Sequence, residues 1–294
     1  DDIDVHFLVG GTQANATIIS SALRPHQGVI AAESGHINGH ETGAVEATGH
    51  KVLVLPSTDG KISAKQIEER CIDHRNDGAR EHLVQPAMVY ISFPTETGTI
   101  YSKEELYAIH QVCKEQDVFL FLDGARLGYG LASPQNDLTL NDIVNCCDVF
   151  YIGGTKVGAL FGEAVVIKNS KLKKDFRYSM KQKGGMLAKG RLLGIQFETL
   201  FQENLYFEIA KQAVDYALMI QKALEEKGFE FMYNSTTNQQ FPIIPNEQLE
   251  QLAKNYAYTL WGKADESKSI VRFCTSWATK KENVEQLIKD IRAL

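Results

Sequence analysis

An α/β architecture, with a mostly parallel seven-stranded sheet sandwiched by helices and then a smaller α+β unit, is the fold class this sequence predicts. Three observations predict it. Short apolar runs rich in β-branched and aromatic residues alternate with helix-length amphipathic segments, the pattern of strands covered on both faces. Several of the intervening segments open on a capping residue such as Ser63 or Ser102, and Ser102-Lys103-Glu104-Glu105 fits a capping box. Beyond Lys168 the texture changes to long helical stretches with a few short strands.

In chain order, the predicted strands of the large unit cover residues 5–9, 28–32, 51–55, 88–92, 118–123, 149–153 and 163–168. Helices are predicted at 12–23, 40–48, 63–75, 102–116 and 138–145. A long helical stretch at 190–227 ends at Gly228. Strands at 229–233, 241–244 and 270–274 and helices at 246–260 and 279–294 complete the chain. Neither an internal repeat nor a long linker interrupts it, so residues 1–185 and 186–294 read as a large and a smaller domain packed closely together.

Composition narrows the function classes. With 294 residues, 44% hydrophobic, 23% charged and only 7 Pro, the chain has the makings of a sizeable globular core. A net charge of −6 without a basic block interleaved with aromatics argues against nucleic acid as a partner. No apolar run reaches the 18 or so residues that cross a bilayer, and the opening Asp1-Asp2-Ile3-Asp4 is not the basic lead of a signal peptide, so a cytoplasmic protein is expected. The five cysteines, odd in number and without C-x-x-C spacing, fit a reducing compartment, and vicinal Cys146-Cys147, leading into the apolar run 148–152, read as small hydrophobes. The chain starts without Met almost directly on a strand, so an amino-terminal piece is expected to precede it.

Three strand ends carry chemistry. Gly10-Gly11-Thr12-Gln13-Ala14-Asn15 joins a strand to a helix, a junction where first-turn N–H groups and a Thr hydroxyl can hold a phosphate. The spacing matches neither G-x-G-x-x-G nor the P-loop, and a tight turn with Thr12 as helix cap reads equally well. Asp123-Gly124-Ala125-Arg126 puts an acid and a base past the end of a buried strand, either facing a ligand crevice or as a turn cap paired with Arg126. Gly153-Gly154-Thr155-Lys156-Val157-Gly158 places a glycine-flanked lysine at the next strand end, positioned as a nucleophilic amine. An anion cradle, a carboxylate and an amine at successive strand ends match what pyridoxal 5′-phosphate requires.

With these motifs in this order, the chain resembles the low-specificity L-threonine aldolases of the β-eliminating lyase group, which have the aspartate aminotransferase-like fold (fold type I), from Val5 to the carboxyl terminus. The resemblance implies that Gly11 and Thr12 form the phosphate loop and that His36, in Ser34-Gly35-His36-Ile37, stacks on the pyridine ring. It implies further that Asp123 meets the pyridine nitrogen, Lys156 is the Schiff-base lysine, and Arg126 and Arg272, the latter in Val271-Arg272-Phe273, bind the substrate carboxylate. The implied reaction is cleavage of the Cα–Cβ bond of L-threonine or a related β-hydroxy-α-amino acid to glycine and an aldehyde. His36 would help to remove the hydroxyl proton, a task that Glu96 or His40 shares. A homodimer or homotetramer is implied as well.

Three departures from the family pattern stand out. Ser92-Phe93-Pro94-Thr95-Glu96-Thr97-Gly98 replaces a loop that often carries a histidine, and His40 stands at an often aromatic position. The glycine-rich stretch at 183–187 lacks the arginine usually found just after it, leaving Lys183, Lys189 or Arg191 to supply charge to the phosphate. β-Elimination or transamination would use the same cofactor. A phosphorylated-ligand binder without chemistry would have no need of the strand-end lysine. His36 and His40 with Glu41 lack a further ligand of the kind a metal needs, so no metal is expected. The tag-like Glu203-Asn204-Leu205-Tyr206-Phe207 falls in the predicted long helix.

Overall fold

The computed structural model describes residues 2–294. Its central sheet has the strands β1 (Asp4–Leu8), β2 (Gln27–Ala32), β3 (Lys51–Leu55), β4 (Gln85–Ser92), β5 (Phe119–Asp123), β6 (Val149–Gly153) and β7 (Glu163–Ile167), in the order β1-β7-β6-β5-β4-β2-β3. β7 alone runs antiparallel, against both β6 and β1. The mostly parallel, helix-covered sheet predicted from the sequence is therefore what the chain forms.

The alternation of strand side chains builds two cores, one per face. Ile30, Val89, Ile91, Leu120, Leu122 and Phe150 point to one side, where helices Ala64–Asn76, Lys103–Gln116 and Leu140–Cys146 bring Ile67, Leu106, Ile109 and Ile143. Val29, Met88, Tyr90, Phe121, Val149 and Tyr151 point to the other, against Ile18 and Ile19 of helix Gly11–Ala22 and Phe176 and Met180 of helix Phe176–Gln182. Ser63, Ser102 and Thr139 each close a capping box at the start of a helix on the first face. Cys71, Cys113, Cys146 and Cys147 are packed into that same core, and burial pushes the Cys146 thiol up to about 11, the behaviour of small hydrophobes.

Three predicted helices differ in the structure. The segment predicted at 40–48 is one turn at His36–Gly39 and a 3₁₀ turn at Glu46–Thr48, because Thr42 and Gly43 take positive φ of 54° and 71° between them. The long stretch divides into Arg191–Phe201 and Leu205–Glu226, with Glu203 and Asn204 left-handed at φ 49° and 62°, so the tag-like motif straddles a break. The helix predicted at 246–260 stops at Leu252. Residues Thr259–Lys263 form a strand paired with Lys268–Cys274, which claims Thr259, Leu260 and Trp261 for a sheet.

That second sheet contains β8 (Glu230–Phe231), β10 (Pro242–Pro245), β11 (Thr259–Lys263) and β12 (Lys268–Cys274), with β9 (Gln239–Gln240) paired to β12. Helix Leu205–Glu226 spans both units. Its first half buries Tyr206, Ala210, Ala213 and Val214 against Tyr129, Val157 and Leu200, and its second half buries Ile220, Ala223 and Leu224 against Val271, Phe273 and helix Lys281–Ala293.

Tyr206, fully buried, ties this helix to the turns beyond β5 and β6: its hydroxyl accepts from Gly128 N at 3.1 Å and donates to Gly153 O at 3.0 Å. Tyr206→Phe leaves both backbone groups unpaired in the interior, and a loss of about 1–3 kcal/mol is expected in denaturant unfolding. An unchanged midpoint and slope would show that the bonds carry no net stability.

Candidate active site

The carboxyl ends of β4, β5 and β6 lie side by side, with Ser92 registered to Asp123, and the residues that leave those ends face one cavity of about 290 Å³. Gly10, Gly11, Thr12, His36, Glu41, Ser92, Glu96, Asp123, Arg126, Tyr151, Thr155, Lys156 and Glu163 line it. A second cavity, of about 500 Å³, shares His36, Glu96 and Arg126 and continues to Trp261 and Arg272 on the smaller sheet. The residues singled out in the sequence, Gly11, Thr12, His36, Asp123, Arg126, Lys156 and Arg272, thus converge on one continuous space.

The anion cradle is the start of helix Gly11–Ala22. Gly10 is its cap residue with no side-chain bond, so Thr12 is not the cap and stands exposed in the first turn. A Cβ on Gly11 would lie 3.1 Å from the Tyr151 hydroxyl, so glycine keeps this turn close to the sheet. Lys183 sits beside it by a backbone contact, Gln13 Nε2 donating to Lys183 O at 2.9 Å, and the side chains of Lys183, Lys189 and Arg191 are absent from both cavity linings.

Asp123 is buried, and its carboxylate accepts from Tyr90 Oη at 2.6 Å, Asn15 Nδ2 at 3.2 Å and Ala125 N at 2.9 Å. Among the described residues no ion pair joins it to Arg126, which stands half-buried between the two cavities. The Tyr151 hydroxyl lies against the same carboxylate, which lines the cavity.

Lys156 lies in the turn between β6 and β7. Burial and then the Arg126 guanidinium hold its ammonium below the usual lysine range, favouring the free amine. Arg272, on β12, bonds Gln239 Oε1 at 3.1 Å and stacks 5.5 Å from the Trp261 ring centre, while its Nε is buried without a partner.

A model of the family described as "Beta-eliminating lyase" matches residues 3–246. The chain belongs to that family. It is 32% identical over 301 residues to a low specificity L-threonine aldolase of a Pseudomonas strain, covering 100% of this chain and 84% of that protein. A structure of Leishmania major threonine aldolase superimposes with a TM-score of 0.96 at 46% identity, covering 99% of this chain and 84% of that one. A Thermus thermophilus aspartate aminotransferase mutant, 16% identical with a TM-score of 0.67 over 99% of this chain and 75% of that one, shows the same fold.

Buried polar groups link the residues of the site to one another. Asn15, fully buried, donates from Nδ2 to Glu41 Oε1 at 2.7 Å as well as to Asp123. Glu41 Oε1 also meets His36 Nδ1 at 2.8 Å, which assigns the proton to Nδ1 and leaves Nε2 able to accept one. Glu96 accepts from Ser92 Oγ at 2.7 Å and from the His36 backbone N–H at 3.0 Å, and burial pushes its carboxyl up. The segment 92–98 therefore contributes a second carboxyl group to the cavity, while His40 is exposed with its ring centre 5.8 Å from that of His36. Only an i, i+5 His–Glu pair in a short irregular segment could have signalled Glu41, and no helical or strand period marks it.

Glu41→Gln removes the charge that faces His36 Nδ1. A fall in kcat of up to about a hundredfold is expected, with KM little changed, because the His36 ring loses the charged acceptor that orients it. Steady-state kinetics beside the denaturant midpoint check it, and an unchanged kcat would leave Glu41 a purely structural role.

Proposed function

We propose that this chain is a pyridoxal-phosphate-dependent lyase that cleaves the Cα–Cβ bond of L-threonine or a close β-hydroxy-α-amino acid. The observation that carries the reading is the convergence of Lys156, Asp123 and His36 on one cavity, with Arg126 and Arg272 on the side that opens toward the smaller sheet. Its similarity to threonine aldolases across the whole of this chain supports the choice of bond over elimination or transamination.

The residues fit the cofactor. The first turn from Gly11 to Gln13 offers unpaired amides and the Thr12 hydroxyl to a phosphate, Asp123 offers a cavity-lining carboxylate to a protonated ring nitrogen, and Lys156 offers an amine of lowered basicity. When bound, pyridoxal phosphate supplies an electron sink for the pair left on Cα as the bond breaks. Asp123 holds a proton on the ring nitrogen by its charge. Arg126 and Arg272 grip the substrate carboxylate from opposite sides and so fix the orientation of the scissile bond. His36, through Nε2, takes the β-hydroxyl proton directly or through water, with Glu96 close to its backbone. Exposed Met186, Leu187, Leu192 and Ile195 support self-association as a homodimer or homotetramer, and five free cysteines support a reducing, cytoplasmic location.

Three outcomes test the assignment. Borohydride treatment of the cofactor-loaded protein should fix a pyridoxyl group on Lys156, and peptide mass spectrometry that finds it on another lysine, or nowhere, overturns the reading. Arg126→Ala and Arg272→Ala should retain the cofactor's visible absorption while kcat/KM for threonine falls by roughly thirtyfold to several thousandfold, equivalent to about 2–5 kcal/mol for a lost charge-assisted pair. Glycine and acetaldehyde are the expected products; pyruvate or a 2-oxo acid in their place excludes aldol cleavage.

A further inference from the structure

Glu163 is the first residue of β7, registered between Leu8 at the end of β1 and Gly153 at the end of β6. β1 feeds the Gly10-Gly11-Thr12 turn and β6 feeds the lysine turn, so this carboxyl group stands between the anion cradle and Lys156. It is 3% exposed, lines the same cavity, and accepts a hydrogen bond from Gly154 N at 3.1 Å through Oε2. An ionised carboxylate in the wall of a phosphate site opposes its ligand, and a buried charge without a counterion opposes the fold.

We propose that Glu163 acts as a neutral carboxylic acid toward the cofactor's phosphate, taking a proton from solvent as the phosphate enters and donating it as a hydrogen bond, so that cofactor affinity is proton-linked through this residue. The inference rests on the pyridoxal phosphate reading above. Burial already pushes the Glu163 carboxyl up to about 7, with the nearby Asp123 charge adding to the effect and the Thr155 and Gly154 bonds opposing it. A phosphate anion brought close pushes in the same direction.

The titratable groups around Glu163 are Lys156 from the turn that precedes β7, Asp123 from β5, Tyr151 from β6 and Tyr206 from the long helix, with His36, Glu41, Glu96 and Arg126 on the other cavity walls. Lys156 favours the ionised form, but burial outweighs it before any ligand enters. The sign follows. The donor is present below the carboxyl's own titration and is lost as pH rises through it, so affinity falls with rising pH.

Calorimetric titration of the cofactor-free full chain with pyridoxine 5′-phosphate, which cannot bond covalently to Lys156, separates this effect from lysine chemistry. Between pH 6.5 and 8.5, the wild type should lose affinity by up to about tenfold more per pH unit than Glu163→Gln, the limit for one linked proton. Titrations in buffers of different ionisation enthalpy should show greater proton uptake by the wild type. Equal slopes and equal uptake overturn the inference and leave the cofactor reading standing. No binding of pyridoxine 5′-phosphate to the wild type at any pH overturns both. If Glu163→Gln does not fold, the ligand-induced infrared difference spectrum of the wild type decides: a new protonated-carboxyl band is expected, and its absence rejects the proposal.

Discussion

Asn15 has two side-chain N–H groups, and the structure sends them to two different buried carboxyl groups, Asp123 and Glu41. The rest of the site hangs from that amide. It sits one turn into the helix whose start forms the anion cradle, so it fixes the cradle to the end of β5. Through Glu41 it also fixes the His36 ring, and through Asp123 it reaches Tyr90 and then Ser92, Glu96 and the His36 backbone, closing a ring of polar contacts beneath the cavity. Such a ring resists deformation because displacing one member strands its neighbours in a medium with no water to replace them.

The same ring explains how so many acids stand in one small space. Asp123, Glu41, Glu96 and Glu163 are all buried, and Lys156 and Arg126 are the cations of the same cavity. Each acid accepts at least one hydrogen bond from an amide or hydroxyl. Desolvation moves Glu96 and Glu163 toward the acid form and Lys156 toward the free amine, so opposite kinds of group drift toward neutrality for the same reason. The free site is electrically quieter than its residue list suggests.

The sheet was legible in the sequence because buried parallel strands are continuous apolar runs, such as Phe119–Asp123, and their polar ends stand out. Lys156, Asp123 and Arg126 were found that way. Asn15 and Glu163 were not, and Glu41 drew attention only as an incomplete metal ligand beside His36 and His40, since an amide inside a helix, an acid in an irregular turn and an acid opening an apolar strand each look like ordinary polar residues until folding buries them. Secondary structure failed where tertiary pairing overrode local pattern: Thr259-Leu260-Trp261 continue a plausible helix until β12 offers them an edge. It also failed where left-handed residues at 203 and 204, neither of them glycine, broke an apparently continuous amphipathic run.

Helix Leu205–Glu226 is a rigid rod with one end bonded, through Tyr206, to the turns beyond β5 and β6 and the other packed under the sheet that carries Arg272. Arg126, just past β5, and Arg272, on β12, are thus joined through this helix, and the bonds of Ser235 and Thr237 to Gly98 O and of Ser133 to Thr236 tie the same two regions directly. Ile220 and Leu224 of the helix lie under the smaller sheet and line neither cavity. Drift in those apolar contacts would move Arg272 relative to Arg126 while every polar group in the cavity keeps its identity.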